Sequence, residues 1–132
     1  LMQAQYIKKT EVKNFLITDA SMAEMARPAL YEAWMPVYET SKRSDCEPQT
    51  YEIVGPVCES SDWLAKDRQL AVEVGDYLAM MVAGAYGMSM ASNYNARPRP
   101  AEIMIDEQAT NVIRERETIE SLWCNERLLG KR

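Results

Sequence analysis

No histidine occurs anywhere in this chain. Imidazole general-base catalysis is thereby excluded, and so are most transition-metal sites, which draw on that ring. No apolar run approaches the roughly 20 residues of a membrane-spanning helix; the longest, over residues 77–85, is strand-sized. Basic blocks are missing as well. Lys8-Lys9, Lys42-Arg43 and Arg97-Pro98-Arg99 are short and scattered in a chain of net charge −5. Phosphate neutralisation needs a clustered cationic surface, so nucleic acid is not an expected partner. The three cysteines, Cys46, Cys58 and Cys124, have no close pair spacing. An odd count in an acidic chain reads as reduced thiols and a cytoplasmic setting. The first residues lack the charged start and apolar stretch of a secretory leader. No P-loop, dinucleotide fingerprint, zinc spacing or Ser/His/Asp set is present. The chain opens on Leu1 with a strand signal almost at once, which reads as a piece of a longer protein.

What remains is a chain of 132 residues, 47% hydrophobic and 27% charged, the expectation for one soluble globular domain over 1–132 with a real core. Residues 5–8 and 14–18 read as short strands around a polar turn. Ser21-Met22-Ala23-Glu24 has the pattern of a capping box, and the apolar residues that follow predict a short helix ending near Arg27, limited by Pro28. Residues 34–38 are strand-like, and 39–49 read as a polar loop. Tyr51, Ile53 and Val57 alternate into the Cys58 turn. Residues 62–67 predict a helical turn. Leu70, Val72 and Val74 alternate again, 77–83 read as a buried strand, and 88–95 as a short helix or irregular. A hairpin is predicted across residues 107–110, then a closing helix over 117–123. Many short strands with few short helices predict a mainly β chain, a β-sandwich or barrel with helical decoration.

Three clusters carry candidate chemistry. Gly55-Pro56-Val57-Cys58-Glu59-Ser60-Ser61-Asp62 packs a thiol, two carboxylates and two hydroxyls into one turn. A thiol is mostly protonated at neutral pH and can donate a proton; the plainer alternative is a small buried hydrophobe. Arg27, with Tyr31 four residues on, can clamp a carboxylate through paired hydrogen bonds, or form a surface salt bridge. Tyr86 stands between small residues in Gly84-Ala85-Tyr86-Gly87, where a ligand can approach closely; it also suits an aromatic core position. The nine methionines read as core filler.

Six motifs follow one another in a fixed order: Asp19-Ala20-Ser21-Met22, Arg27-Pro28-Ala29-Leu30-Tyr31, Gly55-Pro56-Val57-Cys58-Glu59-Ser60, Gly84-Ala85-Tyr86-Gly87, Ser92-Asn93-Tyr94-Asn95 with Arg97-Pro98, and Arg114-Glu115-Arg116-Glu117-Thr118. In that order they resemble the C-terminal part of the diaminopimelate decarboxylases, pyridoxal-phosphate enzymes of the alanine-racemase fold type. The resemblance covers nearly the whole chain. It implies a C-terminal β-sandwich or barrel domain that covers the mouth of an N-terminal (β/α)8 barrel. Such a barrel takes ~250 residues, so the resemblance is to the second domain only; the N-terminal barrel, with the Schiff-base lysine, is absent from this chain. It implies pyridoxal 5'-phosphate as cofactor, a homodimer, and conversion of meso-2,6-diaminopimelate to L-lysine and CO2, with the fragment inactive alone. Carried over by motif, Arg27, Tyr31 and Glu59 bind substrate, and Tyr86 contacts substrate and cofactor. Cys58 becomes the proton donor, reaching the partner subunit's active site. Ser21 departs from an expected glycine and Ser61 from a common one. Two alternatives remain at this point: a domain of an ornithine- or arginine-type decarboxylase, and a non-catalytic β module that dimerises or binds.

Overall fold

The computed structural model describes residues 1–130. The chain divides into two compact units, Leu1–Ala91 and Ser92–Arg132. The first is built on a six-stranded sheet of β1 (Met2–Lys9), β2 (Asn14–Thr18), β3 (Val37–Glu39), β4 (Gln49–Val54), β5 (Trp63–Leu70) and β6 (Tyr77–Met80), in the order β3-β6-β1-β2-β4-β5. Every neighbouring pair is antiparallel except β2 and β4, which run parallel. The outer strands nearly meet. Arg68 Nη2 donates to the Met35 carbonyl at 3.2 Å, and the Ala71 N–H donates to Glu39 Oε1 at 2.8 Å. The sheet therefore curls into an almost closed barrel, as the mainly β expectation holds.

Alternation places the core. Met2 and Ala4 turn inward from β1, Leu16 from β2, Tyr51 and Ile53 from β4, and Leu78 from β6. Leu16, Ile53, Leu64 and Leu78 are fully buried, each worth about 1.5–3 kcal/mol relative to exposure. Glu52 interrupts the alternation. It is buried, and its charge is matched by Lys13, whose ammonium lies 2.6 Å from Oε1; hydrogen bonding to Glu52 raises the proton affinity of that lysine.

Three predicted helical segments are corrected. The helix expected to end near Arg27 instead begins there, as α1 (Arg27–Tyr31). Ser21 does engage Glu24: its N–H and hydroxyl both donate to Oε2, at 2.7 and 2.6 Å. The turn stops after one winding because Pro28 has no N–H for the Glu24 carbonyl. The same fixed φ suits Pro28 to the first turn of the next helix, which Glu32 closes at φ 52°. Residues 62–67 hold the last loop residue and the start of β5, not a helical turn. Two register shifts against β4, with Asp67 at φ 53°, bring Leu64 and Ala65 inward side by side. That break in the two-residue period hid the strand. The closing helix over 117–123 is a single 3-10 turn, Glu120–Leu122, because Thr118 and Ser121 bond each other's backbone instead of extending the ladder. Residues 34–38 shrink to β3, leaving Trp34 exposed.

The second unit holds the hairpin of β7 (Glu102–Asp106) and β8 (Ala109–Arg114), turning at Glu107, φ 51°. At its base, the Glu117 carboxylate after β8 is clasped from the segment before β7 by the Arg99 guanidinium (Nε to Oε1 2.7 Å), the Arg99 N–H at 2.8 Å and the Asn93 amide at 2.6 Å. These donors, the guanidinium first, hold Glu117 at about 2, against an ordinary 4.5. A lowered carboxylate favours the folded state above its ordinary value and loses that contribution as pH falls through about 2. A carboxyl-carbon NMR titration is expected to place the Glu117 midpoint near 2; an ordinary midpoint would mean the clasp does not form in solution.

Candidate functional site

The first cluster is built on α1. Arg27 opens that helix, and its guanidinium lies over the ring of Tyr86, 5.0 Å from the centroid, within range for cation–π attraction. Gly87 packs near Met25 beneath this contact. Tyr86 immediately precedes α2 (Gly87–Met90), where a Cβ on Gly87 would sit 3.4 Å from Met25 Cε. Met25 is buried two residues before Arg27, so the segments that carry the tyrosine and the arginine are neighbours. Tyr31 lies one helical turn after Arg27, on the same face. Tyr31 and Tyr86 are both exposed and Arg27 is half-buried, so two phenols are open to a ligand beside a planar cation.

The second cluster is the loop over residues 55–62, between β4 and β5. Cys58 and Glu59 lie on its exposed crest. The loop is closed at its base, where the Gly55 N–H donates to the Asp62 carbonyl at 3.0 Å and the Asp62 N–H to the Glu59 carbonyl at 3.1 Å. Trp63 Nε1 adds a bond to the Ser60 carbonyl at 2.8 Å. Asp62 turns inward, with Oδ2 accepting the Val57 N–H at 3.0 Å and Oδ1 the Met22 N–H at 2.7 Å. Sequence reading counted Asp62 among the charges flanking the thiol; it is buried and spent on backbone donors. A carboxylate between a Ser-Ser pair and an apolar strand was the available signal.

The structure thus brings Arg27, Tyr31 and Tyr86 to one rim and sets Cys58 and Glu59 on a loop tied to the turn that precedes Arg27. Cys58 makes no hydrogen bond with Arg27, Tyr31 or Tyr86. As donors, a guanidinium and two phenols, with a carboxylate as acceptor, fit an amino-acid end and the phosphate edge of a pyridoxal group. A separate hollow of about 140 Å³ beneath α1 holds none of these five residues. Tryptophan–cation pairs line it, Arg68 over Trp34 at 4.6 Å and Lys66 over Trp63 at 5.3 Å. Among the described residues there is no cluster suited to a metal ion, and no helix is long and apolar enough to cross a membrane.

Residues 1–84 match the family model described as "Pyridoxal-dependent decarboxylase, C-terminal sheet domain". The diaminopimelate decarboxylase of Pseudomonas aeruginosa is 50% identical over 129 residues, which cover 98% of this chain and 31% of that protein. The Vibrio cholerae diaminopimelate decarboxylase is also 50% identical, over 96% of this chain and 30% of its own length. Among solved structures, a diaminopimelate decarboxylase from M. jannaschii in co-complex with L-lysine superposes with a TM-score of 0.92 at 41% identity, covering 97% of this chain and 29% of that one. The chain spans less than a third of the length of the curated relatives it matches.

Proposed function

Since the chain belongs to the pyridoxal-dependent decarboxylases, as their C-terminal sheet domain, we propose that it supplies the substrate-gripping and proton-donating side chains of a diaminopimelate decarboxylase. The observation that carries this reading is the half-buried Arg27 guanidinium stacked on the exposed Tyr86, with Tyr31 on the same helix face as Arg27. The distal end of meso-2,6-diaminopimelate is itself an amino acid. Arg27 binds its carboxylate through two parallel hydrogen bonds, Tyr31 adds a hydroxyl, and Glu59 takes the ammonium. Tyr86 orients substrate and contacts the cofactor. Pyridoxal phosphate, when bound, supplies the electron sink for loss of CO2. Cys58 holds a proton at Sγ and delivers it to the carbon that has lost CO2, giving L-lysine. Cys58 and Glu59 act across a homodimer, in the partner subunit's site, in a cytoplasmic enzyme.

The 50% identity to two diaminopimelate decarboxylases supports the substrate. So does the distal-end chemistry: ornithine ends in a simple amine and leaves Arg27 without a carboxylate. The test is a chimera in which this chain replaces the matching segment of the Pseudomonas aeruginosa relative. Diaminopimelate is expected to be preferred over ornithine by on the order of 10²-fold or more in kcat/KM. A folded, cofactor-loaded chimera that prefers ornithine would overturn the reading. In the same protein, Arg27→Ala is expected to raise KM for diaminopimelate roughly 10- to 100-fold, the worth of hydrogen bonds to a charged group, with kcat changed only a few-fold. Steady-state kinetics check this; an unchanged KM would remove Arg27 from the substrate site. The 132 residues alone, mixed with pyridoxal phosphate and diaminopimelate, are expected to release no CO2 above the buffer blank.

A further inference from the structure

We infer that Asp62 is a positioning residue that sets the Cys58–Glu59 loop in register with the turn leading to Arg27. The chemistry of those two arms rests on the function proposed above; the tie between them is geometric. Asp62 is only 4% exposed, and a carboxylate at that depth must find donors for its oxygens. It finds them on two stretches far apart in the chain: Met22 N–H on Oδ1 at 2.7 Å, and Val57 N–H on Oδ2 at 3.0 Å. Both donors are backbone groups, so each bond fixes a main-chain position rather than a rotatable side chain.

On one side the carboxylate closes the loop whose crest is Cys58 and Glu59. On the other it holds Met22, inside the Ser21–Glu24 turn. That turn is itself secured by bonds from the Glu24 and Met25 N–H groups to the Ser21 carbonyl, at 3.1 and 3.0 Å. The chain then passes the buried Met25 into α1 and Arg27. Gly55 completes the device. A Cβ there would lie 2.2 Å from Asp62 Oδ2, so the carboxylate occupies the space that glycine leaves. Asp62 touches no substrate on this reading; it acts through the position of Cys58 and Arg27.

Asp62→Asn keeps the shape and replaces one oxygen with an amide group, which then faces a backbone N–H without an acceptor. In the full-length decarboxylase carrying this chain, the variant is expected to lower kcat on the order of 10²-fold, the effect of displacing a reacting group by about 1 Å. Cofactor loading is expected to hold, and the thermal midpoint to fall yet stay above the assay temperature. In the same protein Asp62→Ala removes both acceptors, and amide hydrogen exchange is expected to rise together at Met22 and Val57, about tenfold or more, with Ile53 in β4 unchanged. Asp62→Glu is the third variant. It keeps the charge and both acceptors but lengthens the tie by one methylene, and is expected to lower kcat with both amides still protected. A folded variant with parental kcat, or one whose only change is a lower thermal midpoint, would overturn the positioning role. Cys58→Ala separates the two claims. If it slows turnover and the Asp62 variants do not, the positioning inference alone fails; if it does not, the proposed function fails, and exchange at Met22 without exchange at Val57 would still refute the tie.

Discussion

Cys58→Ala in the full-length decarboxylase is expected to lower kcat by on the order of 10²- to 10⁴-fold, the range of a lost general acid, with cofactor affinity near its parental value. The thiol is exposed on a loop whose fixings include backbone bonds, the Trp63 indole N–H and the Asp62 carboxylate. None of those fixings involves the Cys58 sulfur, so alanine removes the proton and leaves the loop's path intact. Cys58→Ser sharpens the result. A serine hydroxyl restores a polar group of similar size but is a far weaker acid, so it is expected to rescue little of the turnover. Stopped-assay measurement of CO2 and lysine, with a cofactor titration on the same samples, separates the outcomes. Equal turnover in variant and parent would reduce Cys58 to a surface side chain.

Gly55→Ala is expected to be the most destabilising single-methyl substitution in the first unit. The added carbon would stand 2.2 and 2.6 Å from the two Asp62 carboxylate oxygens and 2.7 Å from its Cγ. Either the carboxylate leaves, breaking its bonds to Met22 and Val57, or the Gly55 backbone moves and gives up its bond to the Asp62 carbonyl. Two hydrogen bonds to a charged acceptor are worth about 1.5–3 kcal/mol each. A loss of about 3–5 kcal/mol follows, which lowers the thermal midpoint of a unit of this size by some ~15 °C or more. The double variant Gly55→Ala, Asp62→Ala is expected to fall well short of the sum of the single losses, because both remove the same ties. Chemical denaturation of the four proteins checks it, and strict additivity would show that the two residues do not meet.

How far the sequence could be read differs from element to element, for physical reasons. β2 was legible because Phe15-Leu16-Ile17 sits in a short segment bounded by polar turns, and its observed range, Asn14–Thr18, matches the predicted one. The hairpin was legible from its two apolar runs and polar turn. β5 was not, because its register shifts break the two-residue period on which strand reading depends. α1 was misplaced because proline both ends one helix and starts another, and only the surroundings of Pro28 decide which. At the site, motif order drew attention to Arg27, Tyr31, Cys58, Glu59 and Tyr86. The stacking of Arg27 on Tyr86, with Gly87 packed near Met25 beneath it, is a tertiary approach that no local pattern encodes. Asp62 was seen as one more charge near the thiol, since nothing nearby tells whether a carboxylate faces water or an N–H 40 positions away.

The one parallel pair in the sheet shapes how this domain assembles. A strand cannot reach a parallel neighbour through a tight turn; the chain must travel out and come back in the same direction. Between β2 and β4 that excursion runs over residues 19–48 and carries α1 and β3 with it. Closing so long a detour is entropically costly before any ladder bond forms, so the pairing is slow relative to the β1–β2 hairpin. Arg27 rides inside the detour and Cys58 lies beyond its far end. During synthesis the hairpin is ready early, while the register that brings the two arms of the site together comes late. In that interval β2 exposes an unpaired edge, and this is the window in which a nascent chain is most open to capture by another copy of itself.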